Sequence, residues 1–135
     1  MVTVDISKVL RATLINMGVP SNHIDPFTQH STIELTFKEI DPIWITVKNH
    51  QVWVWARLTA LNATNIGFHS RVLIDLLQHP LPGVLTGQVV IGKREDTYEV
   101  KALLDDECAT SIDTMAQMLE AFYELLKLLN AAFKN

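Results

Sequence analysis

The stretch IWITVKNHQVWVWARL, residues 43–58, decides the fold. Ile43, Ile45 and Val47 alternate with Trp44, Thr46 and Lys48, the pattern of a strand. Asn49 and His50 interrupt the alternation, and it resumes with Val52, Val54, Ala56 and Leu58 set against Gln51, Trp53, Trp55 and Arg57. Two intervening residues make a tight hairpin, with Asn suited to its first left-handed position and His less suited to the second. In such a hairpin the flanking residues pair outward one by one. Lys48 then faces Gln51, Val47 faces Val52, Thr46 faces Trp53, Ile45 faces Val54, Trp44 faces Trp55 and Ile43 faces Ala56. One face is wholly aliphatic and reads as core. The other gathers all three tryptophans of the chain. A strand with one wet face should not be apolar on both sides, so something is expected to cover the tryptophans.

Outward from this hairpin, the chain alternates between helical and strand periodicity. Ile6, Val9, Leu10, Leu14 and Met17 recur at helical spacing from about Asp5 to Met17, with Asp5 or Thr3 as cap and Gly18 with Pro20 as stop. Turn formers crowd residues 19–30. STIELTF, residues 31–37, is a half-buried strand, and Asp41-Pro42 separates it from the hairpin. A second helix is expected from about Asn65 to His79, ended by Pro80. Its apolar residues exceed one stripe, which predicts burial on more than one side. A further hairpin follows: a strand over Gln88 to Ile91, a turn over Gly92 to Asp96, and a return strand with Tyr98, Val100, Ala102 and Leu104 on one face. From Ser111 to Phe133, Ile112, Met115, Leu119, Phe122, Leu126, Leu129 and Phe133 keep a three-and-four spacing, widened by Leu125 and Leu128. About three heptads suit a core helix along a sheet better than a coiled coil. The expected class is α+β, in the order helix, three strands, helix, two strands, helix, with an antiparallel twisted sheet packed by helices. One domain is expected over residues 1–135.

Composition narrows the function. A net charge of −4 with scattered Lys and Arg argues against nucleic acid as the partner. No run is long enough for membrane insertion, and MVTVDISKVL lacks the features of a signal peptide, so a cytosolic location is expected. The five histidines form no ligand pair four apart on a helix, and the single cysteine has no cluster around it, so no metal or cofactor is expected. Cys108 sits beside Asp105, Asp106 and Glu107, whose charges raise a thiol's pKa and make a nucleophile unfavourable. Those carboxylates are expected in a solvated turn before a helix. No phosphate loop or nucleophile elbow is present in the sequence. No catalytic residues are assigned, and a binding protein rather than an enzyme is expected. Tryptophan supplies large apolar area with a polar handle, and so the outer hairpin face is the candidate surface.

The segments IDPFTQHSTIEL and IWITVKNHQVWVWARL resemble type III secretion chaperones of the SpaK/InvB type, the multi-effector class. DISKVLRATLINMGVP and MLEAFYELLKLLNAAF extend the likeness over nearly the whole chain. The resemblance implies a cytoplasmic bacterial homodimer, linked to virulence, that binds N-terminal segments of effectors and presents them to the secretion ATPase. It also implies a dimer contact around the second helix, carried here to Val72, Leu73, Leu76 and Leu77, with Ile66 and Phe68 beside them. Effector contact is placed on Trp53 and Trp55 first, then Trp44, with Leu10 and Leu14 of the first helix; this placement rests on the pairing argument. Whether the tryptophans meet the chain's own helix, a partner subunit or cargo stays open. The alternative reading is a small α+β ligand-binding or enzymatic domain with an aromatic-lined pocket. It needs convergent polar groups on an inner face that is almost wholly aliphatic.

Overall fold

The computed structural model describes residues 6–20 and 32–134. The expected capping by Thr3 or Asp5, and nearly all of the 19–30 loop with His23 and His30, lie outside the described residues. The elements are α1 (Ile6–Asn16), β1 (Ile33–Leu35), β2 (Ile43–Lys48), β3 (Gln51–Asn62), α2 (Ile66–Leu77), β4 (Val90–Arg94), β5 (Thr97–Leu103), α3 (Asp106–Thr110) and α4 (Ile112–Phe133). The five strands form one open antiparallel sheet in the order β1-β2-β3-β5-β4.

The β2–β3 hairpin adopts the expected register at all six pairs, from Lys48 with Gln51 to Ile43 with Ala56. Asn49 and His50 take φ of 53° and 63°, the left-handed pair that lets a two-residue loop follow the twist of its strands. β3 runs four residues beyond the expected Leu58, with a bulge between Leu58 and Asn62 after which its pairing with β5 resumes at Asn62 and Thr97. Its central place, between β2 and β5, makes it the spine of the sheet.

Ile43, Ile45, Val52, Val54, Ala56, Leu58, Val100 and Ala102 are buried on the inner face. α4 lies against β3 there, and α1, α2 and α3 each pack on α4. Met115, Met118, Leu119, Phe122, Leu125, Leu126, Leu129 and Phe133 of α4 are buried, whereas Ile112 and Leu128, expected in the same stripe, face solvent. Ser111 caps this helix by accepting from the Thr114 N–H at 3.3 Å. α1 ends as expected, with Gly18 at φ 99° and the Gly18 and Val19 N–H groups donating back to Ile15 and Leu14.

Three expectations need correction. The β4–β5 turn is not Gly92 to Asp96 but the two residues Glu95-Asp96, since Arg94 pairs with Thr97 and Gly92 lies within β4 opposite Glu99. Asp106–Thr110 form the short helix α3, because the Asp105 carboxylate accepts from the Cys108 N–H at 2.8 Å and caps a first turn holding Asp106 and Glu107. α2 was expected to be buried on more than one side, yet within the chain only its Leu73 is buried.

Candidate functional site

Among the described residues, two surfaces outside the core group several large apolar side chains. The first is α2. Phe68 is 89% exposed, Ile74 58% and Val72 44%, while Leu73 points into the core and Ile66, Leu76 and Leu77 pack against its margin. The six residues expected at a dimer contact are therefore divided. Leu73 serves this chain's own core, Phe68 and Val72 are free for another surface, and Ile66, Leu76 and Leu77 are half-buried between the two. His69, on the same helix, tilts against the Phe133 ring at 5.2 Å and ties α2 to the end of α4.

The second surface is the outer face of the sheet. Antiparallel pairing puts directly opposed residues on one face, so Glu34, Trp44, Trp55, Lys101 and Val90 form one row across all five strands. Thr46, Trp53 and Leu103 form the next row. The Trp44 and Trp55 rings stack with centroids 5.4 Å apart and planes 14° apart. The Trp55 indole N–H donates to Thr46 Oγ1 at 3.1 Å, and Thr46 Oγ1 lies 3.3 Å from Thr32 Oγ1. The Trp44 and Trp55 indoles are thus held by contacts between adjacent strands. All three are half-buried.

Cations flank the rings. The Arg94 guanidinium lies 5.8 Å from the Trp55 centroid, and Lys101 Nζ lies 5.9 Å from that of Trp53, both within cation–π range. Glu99 sits between them, 3.9 Å from Arg94 and 3.8 Å from Lys101. Such pairs on a surface stabilise by at most about 1 kcal/mol, so their effect is to position side chains. Sequence reasoning found the indoles but missed Arg94, Glu99 and Lys101. Shifting β4 by even part of a turn hides which of its residues oppose β5.

Leu10 and Leu14, expected to contact cargo, are 0% and 6% exposed and belong to the core between α1 and α4. They offer no surface. Met115, Phe122 and Leu126 of α4, each at most 1% exposed, are buried in the core, which disfavours the aromatic-lined inner pocket of the alternative reading. Cys108 is buried, and burial first, then the charges of Asp105 and Glu107, pushes its thiol up to about 12. It is held in its unreactive protonated form at neutral pH. Among the described residues, no three His, Cys, Asp or Glu side chains gather as a metal site, and no helix is long and apolar enough to cross a membrane.

The structure is a small α+β scaffold: a five-stranded antiparallel sheet whose inner face is packed by helices. The signature of the Invasion protein B family matches residues 18–95, more than half of the chain, and the chain belongs to that family. The surface presentation of antigens protein SpaK of Salmonella typhimurium (strain LT2) is 25% identical over 123 residues, covering 91% of each chain. SpaK of Salmonella typhi matches with the same identity and coverage.

Proposed function

We infer that this chain is a cytoplasmic, bacterial type III secretion chaperone that works as a homodimer and performs no catalysis. It binds N-terminal segments of effector proteins, keeps them soluble and unfolded enough for secretion, and delivers them to the secretion apparatus, where the secretion ATPase is the expected recipient. The observation that carries this reading is the presence, among the described residues, of two separate apolar surfaces, α2 with Phe68, Val72 and Ile74 exposed and the half-buried indole face of the sheet. α2 suits a second copy, because a helix with Phe68 and Val72 outward and Leu73 inward can pack symmetrically on its twin. The indole face suits a cargo segment, because three rigid aromatic rings present large contact area with little side-chain entropy to lose. Membership of the Invasion protein B family, and the likeness to SpaK, support a role in secretion.

Co-expression of the chain with its genomic neighbours, followed by affinity purification, tests the reading. The expected result is a stoichiometric complex of two chains with one protein held through its N-terminal segment. A chain that purifies as a monomer and retains no such protein would overturn it.

A further inference from the structure

The charge on the outer sheet face is sorted by depth. By strand register this face carries four cations, Lys48, Arg57, Arg94 and Lys101, against two carboxylates, Glu34 and Glu99. The Glu99 side chain is only 13% exposed and is bracketed by Arg94 and Lys101, whose side chains are 60% and 37% exposed. An approaching partner therefore meets the two cations, not the acid between them. Lys101 is also held in place from below, since its chain passes over Gly92, where a Cβ would lie 3.3 Å from Lys101 Cε and Nζ. Glu34 is the one solvent-facing carboxylate in these ladders, and it lies on the opposite edge, on β1. Asp41, near the far end of β3, is engaged by the Thr59 hydroxyl at 2.8 Å, and the acidic turn Glu95-Asp96 lies beyond the last strand pair. The result is a face on which Arg94 and Lys101, on β4 and β5, flank the indoles of β2 and β3, with Lys48 and Arg57 further along β2 and β3, on a chain whose net charge is −4.

That arrangement selects by charge. At Trp53 and Trp55 a cation from a partner would have to displace Lys101 or Arg94 from the ring it already flanks, and it would meet like charge in doing so. A carboxylate can pair with either cation without disturbing the rings. Large apolar side chains on the same segment then reach the Trp44–Trp55 stack, one strand spacing or more away. We propose that the outer sheet face docks an acidic cargo segment in which carboxylates are interleaved with large apolar side chains. The carboxylates lie at Arg94 and Lys101, and the apolar side chains on Trp44, Trp53 and Trp55. This names the cargo chemistry within the chaperone reading and rests on it.

The test uses the full chain and two dye-labelled peptides of about 15 residues. They share one pattern of Leu and Phe and differ only in carrying Glu or Lys at the polar positions. Fluorescence anisotropy should give binding about tenfold tighter for the Glu peptide, weakening as salt is raised. R94Q/K101Q should abolish the preference, and R94E/K101E should invert it, with thermal unfolding confirming that both variants fold. Equal binding of the two peptides, or a preference that survives R94E/K101E, would overturn the proposal. So would charge-dependent binding to phosphatidylserine vesicles without peptide binding. A change in the mass of the free protein in R94E/K101E would also overturn it, because a second copy would then occupy the face. Capture of an effector N-terminus that is indifferent to R94E/K101E would sink this proposal and leave the chaperone reading standing. Charge-selective peptide binding by a chain that captures no effector would do the reverse.

Discussion

α2 and α4 are both rich in apolar residues, but they end in opposite circumstances. α4 buries eight of its side chains against β3 and the other helices, while α2 buries Leu73 alone. Periodicity states that an apolar stripe will be covered; it does not state by which molecule. α4 is covered within the chain because its stripe matches the length of the sheet's aliphatic face. α2 follows β3 on the chain's way to the second hairpin and packs on α4. Its Phe68, Val72 and Ile74 are left on the surface of the chain.

The contrast can be broken by truncating the same residue type in both helices. Phe122→Ala, on α4, should lower the unfolding free energy by about 3–5 kcal/mol in urea denaturation, since the ring is fully buried. The thiol of Cys108, on α3 against α4, makes a pH test of the same buried layer. Its folded pKa of about 12 lies above the ordinary 9.0, so its stabilising contribution is whole below pH 9 and is lost as pH rises from 9 towards 12. Cys108→Ala should flatten that alkaline decline, and an unchanged decline would detach the thiol from it. Leu73→Ala should destabilise by about 2–3 kcal/mol, near the lower end of buried leucine truncations, because α2 packs on one side only. Phe68→Ala should change the folding free energy of the single chain by only about 0.5 kcal/mol or less. It should nevertheless shift the protein towards monomer in light scattering. If Phe68→Ala destabilised the monomer as much as Phe122→Ala does, the two helices would not differ in the way described.

The same contrast explains what the sequence made legible. Residues 43–58 could be paired one by one because a two-residue loop leaves a single register, and the aliphatic and indole faces followed from it. The sheet's class, the inner core and the three tryptophans of the candidate surface were all readable there. Their cationic flank was not. Gly92 resembles a turn residue, but it lies in β4 beneath the chain of Lys101, and Glu95 takes the left-handed φ of 55° that the eye assigns to glycine. α3 escaped because five residues cannot display a helical period, although Asp105 three residues before Cys108 was a usable capping signal. Leu10 and Leu14 were placed on the wrong side of the boundary for a different reason. Spacing identifies the apolar stripe of α1, and only the packing of α1 on α4 tells that this stripe is inside.

One property of the indole face reaches beyond recognition. All three tryptophans lie on it, and two of them are stacked at 5.4 Å. The intrinsic emission of the protein therefore comes from one surface, with no indole in the core or on α2 to dilute it. Stacked chromophores at this distance couple, so the near-ultraviolet circular dichroism should carry the signature of the Trp44–Trp55 pair. The molecule thus contains an unlabelled optical gauge of this one face, which would report a ligand settling on the sheet and be indifferent to contacts made by α2.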